Sequence, residues 1–167
     1  MRTVVTGASG FIGAKVITAL AGGDAELVVV SRSPPRTLPA SARWKGADLF
    51  SASSTAEVLE GADTAVYLVH SMMPSTRLFQ GTFHDTDLLL ADNFARSCVE
   101  KGVRRIVYLG GLVPAGHMSP HLQSRLEVGE VLRDTGIPVT ELRAGMIVGP
   151  GGSSFEILKT LVERLPV

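Results

Sequence analysis

Val4-Val5-Thr6-Gly7-Ala8-Ser9-Gly10-Phe11-Ile12-Gly13 is a β-branched run that breaks into three glycines spaced three apart and then becomes a helical pattern. Phe11, Ile12, Val16, Ile17 and Leu20 continue at helical spacing, so the chain passes from a buried strand into a helix through a turn nearly devoid of side chains. Such a turn suits a nucleotide pyrophosphate. The free N–H groups and positive dipole end of the helix hold the phosphates, and a Cβ at the glycine positions would obstruct their approach. The plain alternative is a glycine-rich turn without a ligand; the strand before the loop and the helix after it weigh against that reading. Gly7, Ser9, Gly10, Phe11, Ile12 and Gly13 are therefore the first expected cofactor contacts.

The rest of the chain fits that beginning. At 167 residues with 45% apolar content, the sequence suits one domain with a full core. Sixteen acidic and sixteen basic residues cancel, and no basic stripe is present, so a nucleic-acid partner is not expected. Mean hydropathy is positive, yet no apolar run approaches the ~20 residues that a membrane span requires. Arg2 and the first strand leave no room for a signal peptide, which makes the cytoplasm the expected location. Cys98 stands alone, which excludes an intrachain disulfide and a cysteine-cluster metal site; its helical surroundings suit a small buried hydrophobe.

Apolar, β-branched runs recur at 3–6, 26–31, 64–69, 104–109 and 138–144, with a short additional run at 43–46, and helical patterns fill 11–22, 53–60, 78–101 and 120–135. This alternation predicts an α/β fold: a doubly wound parallel sheet of about six strands with helices on both faces. Ser119-Pro120 starts one helix with a capping residue and a proline at its first position, and Gly136-Ile137-Pro138 ends it. Phe155, Leu158, Leu161 and Val162 form a last helical pattern that stops at Leu165-Pro166-Val167. An apolar ending of this kind creates the expectation that 1–167 is a nucleotide-binding domain lacking a C-terminal substrate-side region.

Cofactor choice is read after the second strand, where a carboxylate would bond the ribose hydroxyls of NAD and an arginine would accept a 2′-phosphate. The residues there are Ser31-Arg32-Ser33, a cation and hydroxyl donors suited to a dianion, which favours NADP(H) over NAD(H). Asp48, followed by Leu49, stands after the third strand, where a carboxylate could accept from the adenine amino group or could simply be a turn aspartate. Val69, His70 and Ser71 close the fourth strand, where backbone groups could meet the ribose. The histidines show no metalloprotease-type spacing, so no metal site is expected. His121 and Arg125 lie four apart on one helix face, beside a Leu122/Leu126 pair expected to pack inward. The imidazole could exchange a proton with a carbonyl and the guanidinium could steady an alkoxide, or both could lie on a solvated face near Glu127 and Glu130.

Taken together, Thr6–Gly13, Ser31-Arg32, Asp48-Leu49, Tyr67–Met72, Tyr108-Leu109-Gly110-Gly111-Leu112 and 139–149 resemble an atypical short-chain dehydrogenase/reductase, with a T-G-x-x-G-x-x-G loop in place of G-x-G-x-x-G. Within that superfamily the chain is most similar to NmrA-like and sugar-epimerase-like NAD(P)-binding proteins of the Rossmann fold. The resemblance implies an NAD(P)-dependent oxidoreductase or epimerase, a small-molecule substrate, and further sequence beyond Val167. Active members of the superfamily use a serine at the fifth strand end and a Y-x-x-x-K pair on the next helix. Here Gly110 or Gly111, His121 and Arg125 stand at those positions, which leaves a nonenzymatic NADP(H) sensor or cofactor-holding subunit as the alternative. The 78–101 helix offers a face that related proteins use in dimers, though packing against the sheet would account equally for its apolar residues.

Overall fold

The computed structural model describes residues 1–70, 83–113 and 115–165. Ser71, Met72 and the 78–82 part of the expected third helix lie outside the described residues. The elements run β1 (Arg2–Thr6), α1 (Phe11–Leu20), β2 (Glu26–Ser31), β3 (Ala42–Gly46), α2 (Ala52–Leu59), β4 (Thr64–Tyr67), α3 (Phe83–Glu100), β5 (Arg105–Gly111), α4 (Pro120–Arg133), β6 (Val139–Ala144) and α5 (Ser153–Arg164). All six strands pair in parallel in the order β3-β2-β1-β4-β5-β6. The expected doubly wound sheet is present, and its direction of winding reverses between β1 and β4. In such sheets ligands bind outside the carboxyl ends of the strands at that reversal.

β1 and β2 read as continuous apolar runs because they are buried on both faces. One face carries the larger core, in which Tyr67, Phe94, Leu59, Ile106 and Leu132 meet beneath α2, α3 and α4. On the other face Val5, Leu27 and Val29 pack under Ile17 of α1. Ser51 caps α2 and Ser119 caps α4, each hydroxyl accepting a backbone N–H of the first turn. Cys98 is fully buried in the larger core, and burial pushes its thiol up to about 12. Among the described residues no helix is long and apolar enough to cross a membrane.

Three local expectations are corrected. β4 ends at Tyr67 rather than at 69, so Leu68 and Val69 leave the ladder and line a cleft. β5 continues beyond the apolar run that ends at 109, through Gly110 and Gly111, which pair with Arg143 and Ala144 of β6. The buried stripe of α4 is Ser124, Val128 and Leu132, with Leu122 and Leu126 only half-buried. A helix crossing β5 beside α3 buries the line that faces both neighbours, and here that line includes a serine.

Candidate functional site

The glycines of the opening loop do different work. Gly7 has φ +73°, and a Cβ on it would lie 2.7 Å from the Leu68 carbonyl carbon, so β1 and β4 converge there only because no side chain intervenes. At Gly13 a Cβ would come 2.6 Å from the Ala8 Cα, so the first turn of α1 sits directly on the loop. Gly10 has an ordinary φ of −76°, and a Cβ there would meet only the Gly7 carbonyl oxygen, at 3.3 Å. Gly10 is also the N-cap of α1, and no side chain caps the helix. The N–H groups of Phe11, Ile12 and Gly13 therefore lack intrahelical acceptors and present the positive end of the dipole.

These groups border a cleft of about 390 Å³ at the β1/β4 reversal, lined by Gly7, Ser9, Gly10, Ser31, Arg32, Asp48, Leu49, Phe50, Val69 and His70 among others. Every expected cofactor contact in the described residues reaches this cleft or the helix end beside it. Arg32 is exposed at its rim. Ser31 is buried and committed: its hydroxyl donates to the Ser33 carbonyl at 2.6 Å and accepts from the Trp44 indole at 3.1 Å. It shapes the loop that carries Arg32. Asp48 Oδ1 accepts the Phe50 N–H at 3.1 Å, the turn role foreseen as its alternative, though a carboxylate retains further acceptor capacity. Asn93 of α3 donates to the carbonyls of Leu49 and Phe50 at 2.9 and 3.1 Å and fixes the same wall.

Around His70, which lines the cleft, the structure gathers groups that the sequence scatters. His70 Nδ1 lies 2.7 Å from Asp87 Oδ2, and His70 Nε2 lies 3.1 Å from His121 Nδ1. Arg125 Nε approaches His121 Nε2 at 3.4 Å, while its Nη1 donates to the Leu109 carbonyl at 3.0 Å. His121 and Arg125 are thus not on a freely solvated face. Burial, then the neighbouring His70 and the Arg125 cation, hold His121 below the usual histidine range, favouring a neutral imidazole. Asp87 is 2% exposed and also accepts from the Ser124 hydroxyl. Asp87 escaped the sequence reading, although 87, 90, 91, 94 and 98 share one helical stripe on which it is the only acid. A buried acid in an apolar stripe signals a polar partner from another element.

No serine occupies the end of β5. A Cβ on Gly111 would come 2.8 Å from Leu122 Cδ2 and 3.3 Å from Arg125 Cδ, so the bare strand end is what allows α4 to seat these side chains against it. Among the described residues no group of three or more histidine, cysteine or acidic side chains is arranged to hold a metal ion.

Comparison with known proteins bears on this geometry. Residues 3–133 match the model of the NAD dependent epimerase/dehydratase family. The auxiliary protein GraX of Staphylococcus aureus (strain NCTC 8325 / PS 47) is 27% identical over 112 residues, covering 66% of this chain and 36% of GraX. Among solved structures, MoeE5 in complex with UDP-glucose and NAD superposes with a TM-score of 0.78 at 24% identity, over 98% of this chain and 60% of that one. Triphenylmethane reductase of Citrobacter sp., complexed with NADP(H), gives a TM-score of 0.78 at 19% identity, over 98% and 55%. The chain spans about a third of the length of GraX and little more than half of these two structures.

Proposed function

The chain belongs to the NAD-dependent epimerase/dehydratase family, and from that premise we propose that it binds NADP(H) in the β1/β4 cleft and serves an oxidoreductase or epimerase whose acid/base group is His121. The observation that carries this reading is the uncapped N-terminus of α1, opening into a cleft whose floor exists only because Gly7 and Gly13 lack side chains. Phe11, Ile12 and Gly13 would hold the pyrophosphate by their N–H groups. Arg32 would take a 2′-phosphate, since the end of β2 offers a cation and no carboxylate. Asp48 and the backbone of Leu49 would face the adenine, and the backbone of Val69 and His70 the ribose; Ser71 is carried only from the sequence.

When bound, the nicotinamide supplies an acceptor or donor of hydride. His121 exchanges the proton of a substrate hydroxyl or carbonyl, neutral at pH 7 and thus a base, while Arg125, fixed on Leu109, steadies developing negative charge. His121 and Arg125 thereby stand in for the tyrosine and lysine of the wider superfamily, with Gly111 in the serine's position. The substrate pocket would be completed by sequence beyond Val167, a reading supported by α5, whose side chains from Phe155 to Leu165 are all exposed.

Calorimetry with NADPH, NADP⁺, NADH and NAD⁺ tests the cofactor assignment. NADPH is expected to bind most tightly, and Arg32→Ala to remove that preference. Equal affinity for NADH, unchanged in the variant, would refute the phosphate site. Turnover by the wild type that persists in His121→Gln would remove His121 from the chemistry.

A further inference from the structure

We propose that Asp87, His70 and His121 form a proton relay beside the cofactor cleft, in which His70 and Asp87 are positioning residues acting through His121. The relay deepens the reading of His121 as acid/base group and rests on it.

Each contact in the series permits only one donor. Asp87 as carboxylate only accepts, so the proton on His70 sits on Nδ1, 2.7 Å away, and the Nε2 lone pair faces His121. His121 Nδ1, at 3.1 Å, must then donate, which leaves the lone pair of His121 on Nε2. Arg125, which only donates, stands 3.4 Å from that atom. A single arrangement of protons satisfies the whole series. The three components come from separate elements, α3, the segment after β4, and α4, and His70 itself lines the cleft. Only 12% of the His70 side chain is exposed, so its polar atoms are engaged by protein more than by water.

The electrostatics give the arrangement a direction. A proton retained on His121 would set an imidazolium beside the Arg125 guanidinium. If a substrate hydroxyl displaces the Arg125 Nε–H from His121 Nε2, and its O–H bond breaks toward that atom while the His121 Nδ1–H bond breaks toward His70 Nε2, His121 ends neutral. The positive charge then lies on His70 against the Asp87 carboxylate. The electron pair of the adjacent C–H bond leaves to the oxidised nicotinamide cofactor, the oxidant named above, and reduction runs every transfer in reverse. Among the described residues, the other titratable groups near the relay are the Tyr67 and Tyr108 phenols of β4 and β5, both kept protonated chiefly by burial, and the His84–Glu127 pair one turn along α3 and α4. A purely structural stitch between helices would hold the same distances but would not require the first added proton to choose one imidazole.

¹⁵N-histidine NMR of the whole chain, titrated from about pH 5 to 9 across the histidine range, reads that choice directly. Near neutrality both His70 and His121 are expected as Nδ1–H tautomers, and on acidification His70 is expected to become doubly protonated before His121. Appearance of the first added proton on His121, or a stable Nε2–H tautomer there while His70 is still neutral, would overturn the relay. In Asp87→Asn the ratio of His70 to His121 protonation is expected to fall by about tenfold or more, the effect of losing one close charge partner. Unchanged histidine signals in that folded variant would also overturn it. His70→Ala provides a second test: His121, deprived of its acceptor, is expected to populate the Nε2–H tautomer, and retention of pure Nδ1–H would count against the proposal. Calorimetry with NADPH on the same samples separates the two levels. The expected tautomers without nucleotide binding would overturn the cofactor reading while the proton arrangement stands.

Discussion

At the scale of the residue, the three loop glycines look equivalent in sequence and are not equivalent in space. Gly7 is required by a positive φ and by the β4 backbone, and Gly13 by the loop backbone beneath it, so both are demanded by the protein itself. Gly10 meets neither condition so severely, so under the proposed function its open mouth is kept for the ligand. Gly7→Ala is accordingly expected to lower stability by roughly 1–3 kcal/mol in urea unfolding, the range for a residue held in an unfavourable conformation, with the backbone collision adding to it. Gly10→Ala is expected to change stability by less than about 1 kcal/mol, since alanine is only a poorer cap, yet to weaken NADPH binding about tenfold, equivalent to about 1.4 kcal/mol. A Gly10→Ala variant that binds NADPH like the wild type would show that the pyrophosphate lies elsewhere. The geometry of the glycine loop was legible because its constraint is local: strand, three glycines and helix adjoin in the chain. Ser31 was only half legible. Its position beside Arg32 is local, but the Trp44 indole that occupies its hydroxyl arrives from the neighbouring strand.

At the scale of the element, α3 does more than cover the sheet. Its buried stripe combines Leu90, Ala91, Phe94 and Cys98 with Asp87, and its flank carries Asn93. The apolar part was legible from helical periodicity; the polar members were not, because their partners, His70, Ser124, Leu49 and Phe50, lie on other segments far from them in the chain. The same cause misassigned α4. Leu122 and Leu126 are the more apolar pair, but crossing both α3 and β5 turns Ser124, Val128 and Leu132 inward. α3 lies between α2 and α4, which accounts for its apolar stripe by packing within the molecule. Asn93 makes the element's influence on the site measurable. Asn93→Ala leaves the carbonyls of Leu49 and Phe50 without their side-chain donor and is expected to lower stability by about 1–2 kcal/mol. Because those carbonyls belong to the cleft wall proposed to face the adenine, NADPH affinity should fall several-fold as well. Stability loss with unchanged affinity would show that Asp48 and its turn hold the wall alone.

At the scale of the whole molecule, the sheet is covered unevenly. α2, α3 and α4 close one face, whereas α1 packs against β1 and β2 on the other. On that second face Leu109 pairs with Leu142, which is 55% exposed, and α5 displays Ile157 and Val162 at 61% and 68% exposure. The periodicity of α5 was legible in the sequence, but periodicity reports a side to be covered and not what covers it. Scattering at rising concentration is expected to show self-association of the chain through these surfaces, and a monomer at all concentrations would argue against it. The fully closed face governs a different property, resistance to alkali. It contains Tyr67, Tyr108 and Cys98, all buried, with both phenols raised above their ordinary values and the thiol raised to about 12. In the unfolded chain these groups release protons near ~8.5 for cysteine and ~10 for tyrosine. Above those values the folded state holds protons that the unfolded state has lost, so stability must fall as pH rises. The decline begins near pH ~9 with Cys98, steepens above ~10 with the tyrosines, and the thiol's share continues until its folded value is passed, each group contributing up to about 1.4 kcal/mol per pH unit. Urea unfolding at successive pH values checks this, with Cys98→Ala as the comparison. The variant should lose the slope between about pH 9 and 10 and retain the one above it, whereas parallel curves would mean that the thiol is not protected as its burial implies.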